Sequence, residues 1–185
     1  KVVHPRAAEL AIESDIPIEV RSHETGELVT RVEPFVIRSG RYVTGVAAGS
    51  PVWQFSVDGT GCAPREFHAS VFGMVAAEGV SMDMFTVFGA SAVFTVPVDD
   101  AERVRGILSA GGLKWSDTGP CVKVSIVGAG MHGLRGVMAR FSASLRDAGI
   151  DMLQTVDSHA TISALVPLGS RDRALSALHA EFVEK

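Results

Sequence analysis

Four glycines, Gly128, Gly130, Gly133 and Gly136, stand between a strand-like run, Val122 to Val127, and a helical pattern that opens near Gly136. Glycines in that place can cradle the pyrophosphate of a dinucleotide, or let a small carboxylate reach the free amides of a helix N-terminus. The dinucleotide arrangement needs G-x-G-x-x-G with the helix opening at once, and an acid about 20 positions on at the end of the next strand. Here the helix opens late, and the next acid at a strand end, Asp157, comes too far along. A phosphate loop ending in G-K-[ST] is missing as well. What remains is a loop that lets a small ligand approach the backbone, or a set of tight turns with no ligand.

Other catalytic constellations are absent from the sequence. There is no H-E-x-x-H pair, no G-x-S-x-G elbow, and Cys62 and Cys121 lack metal-ligand spacing. Asp157, Ser158 and His159 are consecutive, so they cannot face one another as a nucleophilic relay; local turn hydrogen bonds for the first two and a surface place for His159 are expected. Met82, Met84, Met131, Met138 and Met152 read as core filling, and Trp53 and Trp115 as packing or interface residues. A second glycine loop, Asp58 to Pro64, also leads from a strand into a helix. At either loop an amino acid could dock its carboxylate on helix amides, its ammonium meeting backbone carbonyls or, in the later copy, Asp157. Glycine loops without a catalytic set suit a sensor better than an enzyme.

With 185 residues, 46% hydrophobic and 21% charged, the chain can build one large core or two small ones. A formal charge of −4, with the basic residues scattered, argues against a nucleic-acid partner. No run approaches the length of a membrane span, and residues 1–30 contain no long apolar block of a secretory signal. Lys1 in place of Met points to a fragment, a processed chain or a partly ordered longer protein.

The elements that carry the two loops repeat. A shift of 70 residues lays Trp53–Val57 on Lys123–Val127, and Phe67, Val71, Val75 on Val137, Phe141, Leu145, the buried stripe of a helix. Gly79 then meets Gly149, Val96-Pro97 meets Val166-Pro167, and Val104 and Leu108 meet Ala174 and Leu178. Each copy reads β-α-β-β-α, the order of a ferredoxin-like α+β unit that still needs a last strand. Leu113 to Ser116 supplies it for the first copy. The second has only Phe182 to Lys185, too short and too charged, so Val43 to Ala47 is expected to cover its edge and interleave the two units. Before them come a helix-prone stretch, Ala7 to Glu13, a short strand, Ile16 to Val20, and a polar connector from Ser22 to Gly40.

"KVSIVGAGMHGLRGV" from Lys123, "LQTVDSHATISALV" from Leu153 and "ALSALHAEF" from Ala174 resemble the second ACT domain of bacterial aspartokinases, closest to the diaminopimelate-sensitive type. "KVVHPRAAELAIESDIPIEVRS" resembles the last helix and strand of that family's amino-acid-kinase domain. The resemblance implies a kinase-domain end at 1–22, a connector at 23–42, a first ACT domain at 50–117, and a second built from 43–49 plus 120–185. It further implies a cytoplasmic aspartate kinase whose ATP and Mg are held by a kinase domain outside this chain, leaving this chain without cofactor or metal and non-catalytic alone. Expected partners are an effector amino acid (lysine, threonine or diaminopimelate), a second copy paired through the ACT domains, and the kinase domain. The effector positions carried over are Gly130, Met131, Gly133, Gly136 and Val137, with Asp157, Ser158 and Thr161 facing them. Where the family commonly reads G-M-x-G-x-P-G, Arg135 replaces the proline, and the first loop has no Pro-Gly step. A non-catalytic interaction module that binds no small molecule is the alternative.

Overall fold

The computed structural model describes residues 3, 7–8, 10–11, 14–32, 43–128, 135–158 and 160–184. Two compact units divide the chain, Lys1–Arg41 and Tyr42–Lys185.

In the first unit, β1 (Ile18–Arg21) pairs antiparallel with β2 (Leu28–Val32). The polar stretch read as connector therefore carries a strand. Its Leu-Val-Thr-Arg-Val run is β-prone, and the turn before it is closed by Gly26 N donating to Ser22 O at 2.9 Å. Ser22 N in turn donates to Glu27 O at 2.9 Å, so the polar residues build the turn that brings the two strands together.

The second unit contains β3 (Val43–Asp58), α1 (Pro64–Ala77), β4 (Asp83–Phe88), β5 (Ser91–Pro97), α2 (Ala101–Ala110) and β6 (Lys114–Gly128). It continues through α3 (Val137–Asp147), β7 (Gln154–Asp157), β8 (Thr161–Pro167) and α4 (Arg171–Phe182). One antiparallel sheet runs in the order β4-β5-β3-β6-β8-β7. Two of its strands are long enough to serve both repeats. The late half of β3, Val52–Asp58, pairs with β5, and Phe55–Asp58 also pairs with the start of β6, opposite Lys114–Asp117. The early half of β3 pairs with the other end of β6: Val43 lies opposite Gly128, Val46 opposite Ile126, and Ala48 opposite Val124. The segment before the first repeat is thus the closing strand of the second, and the two ferredoxin-like units are interleaved.

Alternation along each strand decides which face each core occupies. Phe55, Val57, Phe94 and Val96 meet Phe67, Val71 and Val75 of α1 and Val104 and Leu108 of α2 in one core. Val43, Val122, Val124, Ile126 and Ile162 meet Val137, Phe141 and Leu145 of α3 and Ala174 and Leu178 of α4 in the other. These are the stripes expected from the i, i+4, i+8 spacing. Trp53 and Trp115 pack against the first core, and Trp115 lies 5.9 Å from Phe55 between ring centroids. Met84 is buried, with Met82 and Met152 partly so, whereas Met138 is 39% exposed. Met138 follows the buried Val137 on α3 and turns to solvent, so it fills no core.

At the shared strands, Arg105 of α2 donates to Asp117 of β6 at 2.9 Å and stacks 4.6 Å over the Trp53 ring. That hydrogen bond holds the Asp117 carboxyl below the usual carboxylate range. A depressed carboxyl contributes stability above its unfolded value, near ~3.9, and that contribution is lost as pH falls toward the folded value. Asp117→Asn should therefore remove about 1 kcal/mol at pH 7 and flatten the acid limb of the stability profile. Urea titrations at pH 7 and pH 3 check it, and parallel pH profiles for the two proteins would contradict it.

Candidate effector site

The site is built at the end of the sheet where β6 stops, β7 stops and β8 starts. Gly128 N donates to Ala160 O at 2.9 Å, and Val127 lies opposite Thr161, so the mouth of the glycine loop sits beside the β7–β8 turn. Thr44 of β3 donates its hydroxyl to Val127 O at 3.1 Å, which holds the end of β6 from its other side.

Gly136 has φ 81° and is the N-cap of α3. Any residue with a Cβ is strained in that left-handed conformation, so the glycine is required by the backbone itself. Val137 next to it belongs to the same core cluster as Val43, Ile126 and Ile162. The helix start and the strand ends are thus anchored in one packed core. Gly130, Met131, Gly133 and His159 lie outside the described residues.

Asp157 is exposed at the end of β7, and its carboxylate has no partner among the described residues. Ser158 and Thr161 are tied to each other. Their hydroxyls are 2.9 Å apart, Ser158 Oγ also accepts from Thr161 N at 3.1 Å, and Ser158 N donates to Thr161 O at 2.8 Å. The expected local turn bonds form at Ser158 but, among the described residues, not at the Asp157 carboxylate, and they account for Ser158 and Thr161 as turn makers. Among the described residues here, the groups left for a ligand are the Asp157 carboxylate and the amides of the α3 N-terminus.

Comparison with known proteins bears on what such an arrangement is for. Residues 118–180 match the ACT domain family. Aspartokinase 1 of Bacillus subtilis is 36% identical over 188 residues, 98% of this chain and 46% of that protein. The regulatory subunit of aspartate kinase from Thermus thermophilus, solved ligand-free, is 28% identical with a TM-score of 0.70, over 76% of this chain and 98% of that one. Over nearly its whole length the chain is thus similar to aspartokinases. It spans about half the length of the curated relatives it matches and corresponds to the regulatory part. Aspartokinase III of Escherichia coli, solved with lysine and aspartate, has a TM-score of 0.71 at 21% identity, covering 99% of this chain and 42% of that one, a likeness of fold alone.

A local turn closes the first glycine loop, Asp58 to Pro64. Asp58 Oδ1 accepts from Thr60 N at 2.9 Å and Thr60 Oγ1 at 2.6 Å, an Asx turn. A Cβ on Gly59 would lie 2.4 Å from Phe67 Cδ2, so the loop packs onto a ring where a ligand would need open backbone. No group of three or more candidate metal ligands occurs among the described residues. No described helix is long and apolar enough to cross a membrane.

The sequence reading missed a cluster on the opposite face of the sheet: Gln54, Asp83, Lys123 and Gln154. Lys123 Nζ donates to Asp83 Oδ2 at 2.6 Å, and Gln54 Nε2 donates to Gln154 Oε1 at 3.0 Å. A signal was present, because Gln54 interrupts Trp53-Gln54-Phe55 as a polar residue that alternation turns away from the helix-side core, yet it is 3% exposed.

Proposed function

We propose that this chain is the regulatory region of an aspartate kinase, binding an end-product amino acid and relaying that event to a kinase domain. The parent reaction is ATP plus L-aspartate to ADP plus 4-phospho-L-aspartate, with ATP and Mg held by the kinase domain, of which residues 1–22 are the end. The observations that carry this reading are the glycine cap of α3 and the exposed Asp157 carboxylate, unpartnered among the described residues, in a chain similar to aspartokinases over 98% of its length. The ligand's carboxylate meets helix amides and its ammonium meets Asp157; Gly130, Met131 and Gly133, outside the described residues, are the further effector positions of this proposal. Gly136 and Val137 set the direction of α3, and Ser158 with Thr161 holds the turn that presents Asp157. Lysine, threonine and diaminopimelate are the effectors of choice.

A thermal-shift panel of lysine, threonine, methionine and meso-diaminopimelate tests it. Saturation at 100 times Kd stabilises by about 2.7 kcal/mol, a rise of about 5 °C or more in Tm. A panel with no rise for any of the four overturns effector binding and favours the ligand-free interaction module, a reading that the self-satisfied Ser158–Thr161 turn supports.

Self-association is part of the same proposal. Edge strand β4 leaves Phe85 67%, Val87 47% and Phe88 87% exposed, an apolar sheet edge of the kind proteins cover. A second copy paired along β4 covers it. Sedimentation should give a dimer at micromolar concentration, and Phe88→Asp should weaken the dimer by about tenfold or more. A monomer throughout that range contradicts the pairing.

A further inference from the structure

We infer that Gln154 is a positioning residue that couples the effector-bearing strand β7 to the bulged edge strand β4 of the other ACT unit. The inference rests on the proposed effector site at the end of β7 and names how occupancy there reaches the rest of the fold.

β7 is four residues long, and three of them, Thr155, Val156 and Asp157, are exposed. Gln154 is its anchored side chain. One carboxamide offers two N–H donors and an oxygen acceptor, and here both donors and the oxygen are engaged. Nε2 donates to Met84 O and, at 2.9 Å, to Thr86 Oγ1, while Oε1 accepts from Gln54 Nε2 at 3.0 Å. The reverse amide orientation would set its oxygen against the Met84 carbonyl, so the three bonds select one orientation. β4 and β7 lie at opposite ends of the sheet order, yet these bonds join them directly.

The receiving strand is not regular. Its pairing with β5 shifts between Asp83 and Thr86, and within that shift Met84 has φ 44° and is 5% exposed. A left-handed methionine persists only where its surroundings over-determine it. The surroundings include residues from the other ACT unit: Lys123 on Asp83, Gln154 on the Met84 carbonyl, and Cys121 and Leu165 in a small core with Met84. Such a bulge has an alternative regular pairing within reach, and the grip of Gln154 biases it. A ligand that draws Asp157 shifts a strand too short to bend independently, and the displacement falls on Gln154. The outcome is a change at β4, the edge where the second copy is proposed to pair.

Hydrogen exchange followed by mass spectrometry on the whole chain tests this. Gln154→Glu is nearly isosteric, keeps the acceptor for Gln54 and removes both donations to β4. Exchange over 83–88 should speed up by about tenfold while 137–147 in α3 is unchanged. When the amino acid that raises Tm is added, 83–88 should be slowed in the parent and not in the variant, although 154–161 is slowed in both. Unchanged exchange at 83–88 in the variant, or equal ligand protection there in both proteins, overturns the coupling. If no amino acid slows 154–161 in the parent, the effector reading fails, and the ligand-free comparison alone decides the coupling. If Gln154→Glu unfolds throughout, Thr86→Val removes one bond from the β4 side and must speed exchange at 154–157; no change there overturns the inference.

Discussion

Replacing Gly59 by alanine should destabilise the protein by about 3 kcal/mol, the upper end of the usual overpacking cost. The new Cβ would lie 2.4 Å from Phe67 Cδ2 and 2.6 Å from Ala90 O. Neither can give way. Phe67 is 4% exposed within the first core, and Ala90 O is held by Gly59's own N–H at 2.8 Å, so the added methyl must push a core ring or a backbone carbonyl. Against a total stability of about 5–15 kcal/mol, the loss is large, and Tm should fall by about 10 °C. Circular-dichroism melts measure it; a Tm within a degree or so of the parent would mean the loop has room that the structure does not show. Amino-acid binding should survive in whatever fraction stays folded, because this glycine serves packing.

The second large effect concerns a truncation. Residues 118–185 contain the whole segment that matches the ACT family and would pass for a domain in sequence. They should not fold alone. In the whole chain the edge of β6 from Val124 to Gly128 is paired by Val43–Ala48, and Val43, Val46 and Ala48 pack into the core of the second unit. Removal leaves a row of backbone donors and acceptors unpaired and opens that core, in a unit small enough to be marginal even when complete. The fragment should show no cooperative thermal transition, and attaching residues 43–49 through a flexible linker should restore one. A sharp transition in the fragment without them would refute the interleaved arrangement.

Periodicity exposed the helix stripes because amphipathic packing leaves a mark every third and fourth residue: Phe141 and Leu145 could be placed before any coordinate was known. The crossed closing strand was legible for a different reason, an edge with nothing in its own repeat to cover it. The hairpin at Leu28–Val32 escaped notice because its residues are mostly exposed, so no apolar alternation announces it. At the candidate site the helix opening near Gly136 was legible, and the structure makes that glycine its left-handed cap. Ser158 and Thr161 could not be divided between turn and ligand from residue type alone, since a hydroxyl serves either. Gln154 was invisible: its partners Gln54, Met84 and Thr86 lie far off in sequence, and only the folded sheet brings them together.

The most direct measurement of the central claim is a calorimetric titration of the parent chain and Asp157→Ala with the amino acid that gives the largest thermal shift. Asp157 is exposed and unpaired among the described residues, so its removal leaves the fold intact. Saturable binding by the parent, weakened at least about tenfold in Asp157→Ala through loss of a charge-assisted contact, is the expected result. Equal affinity in both proteins would contradict a site at the end of β7, and micromolar binding of ATP or NAD with no amino-acid heat would contradict the effector reading of the glycine loop altogether.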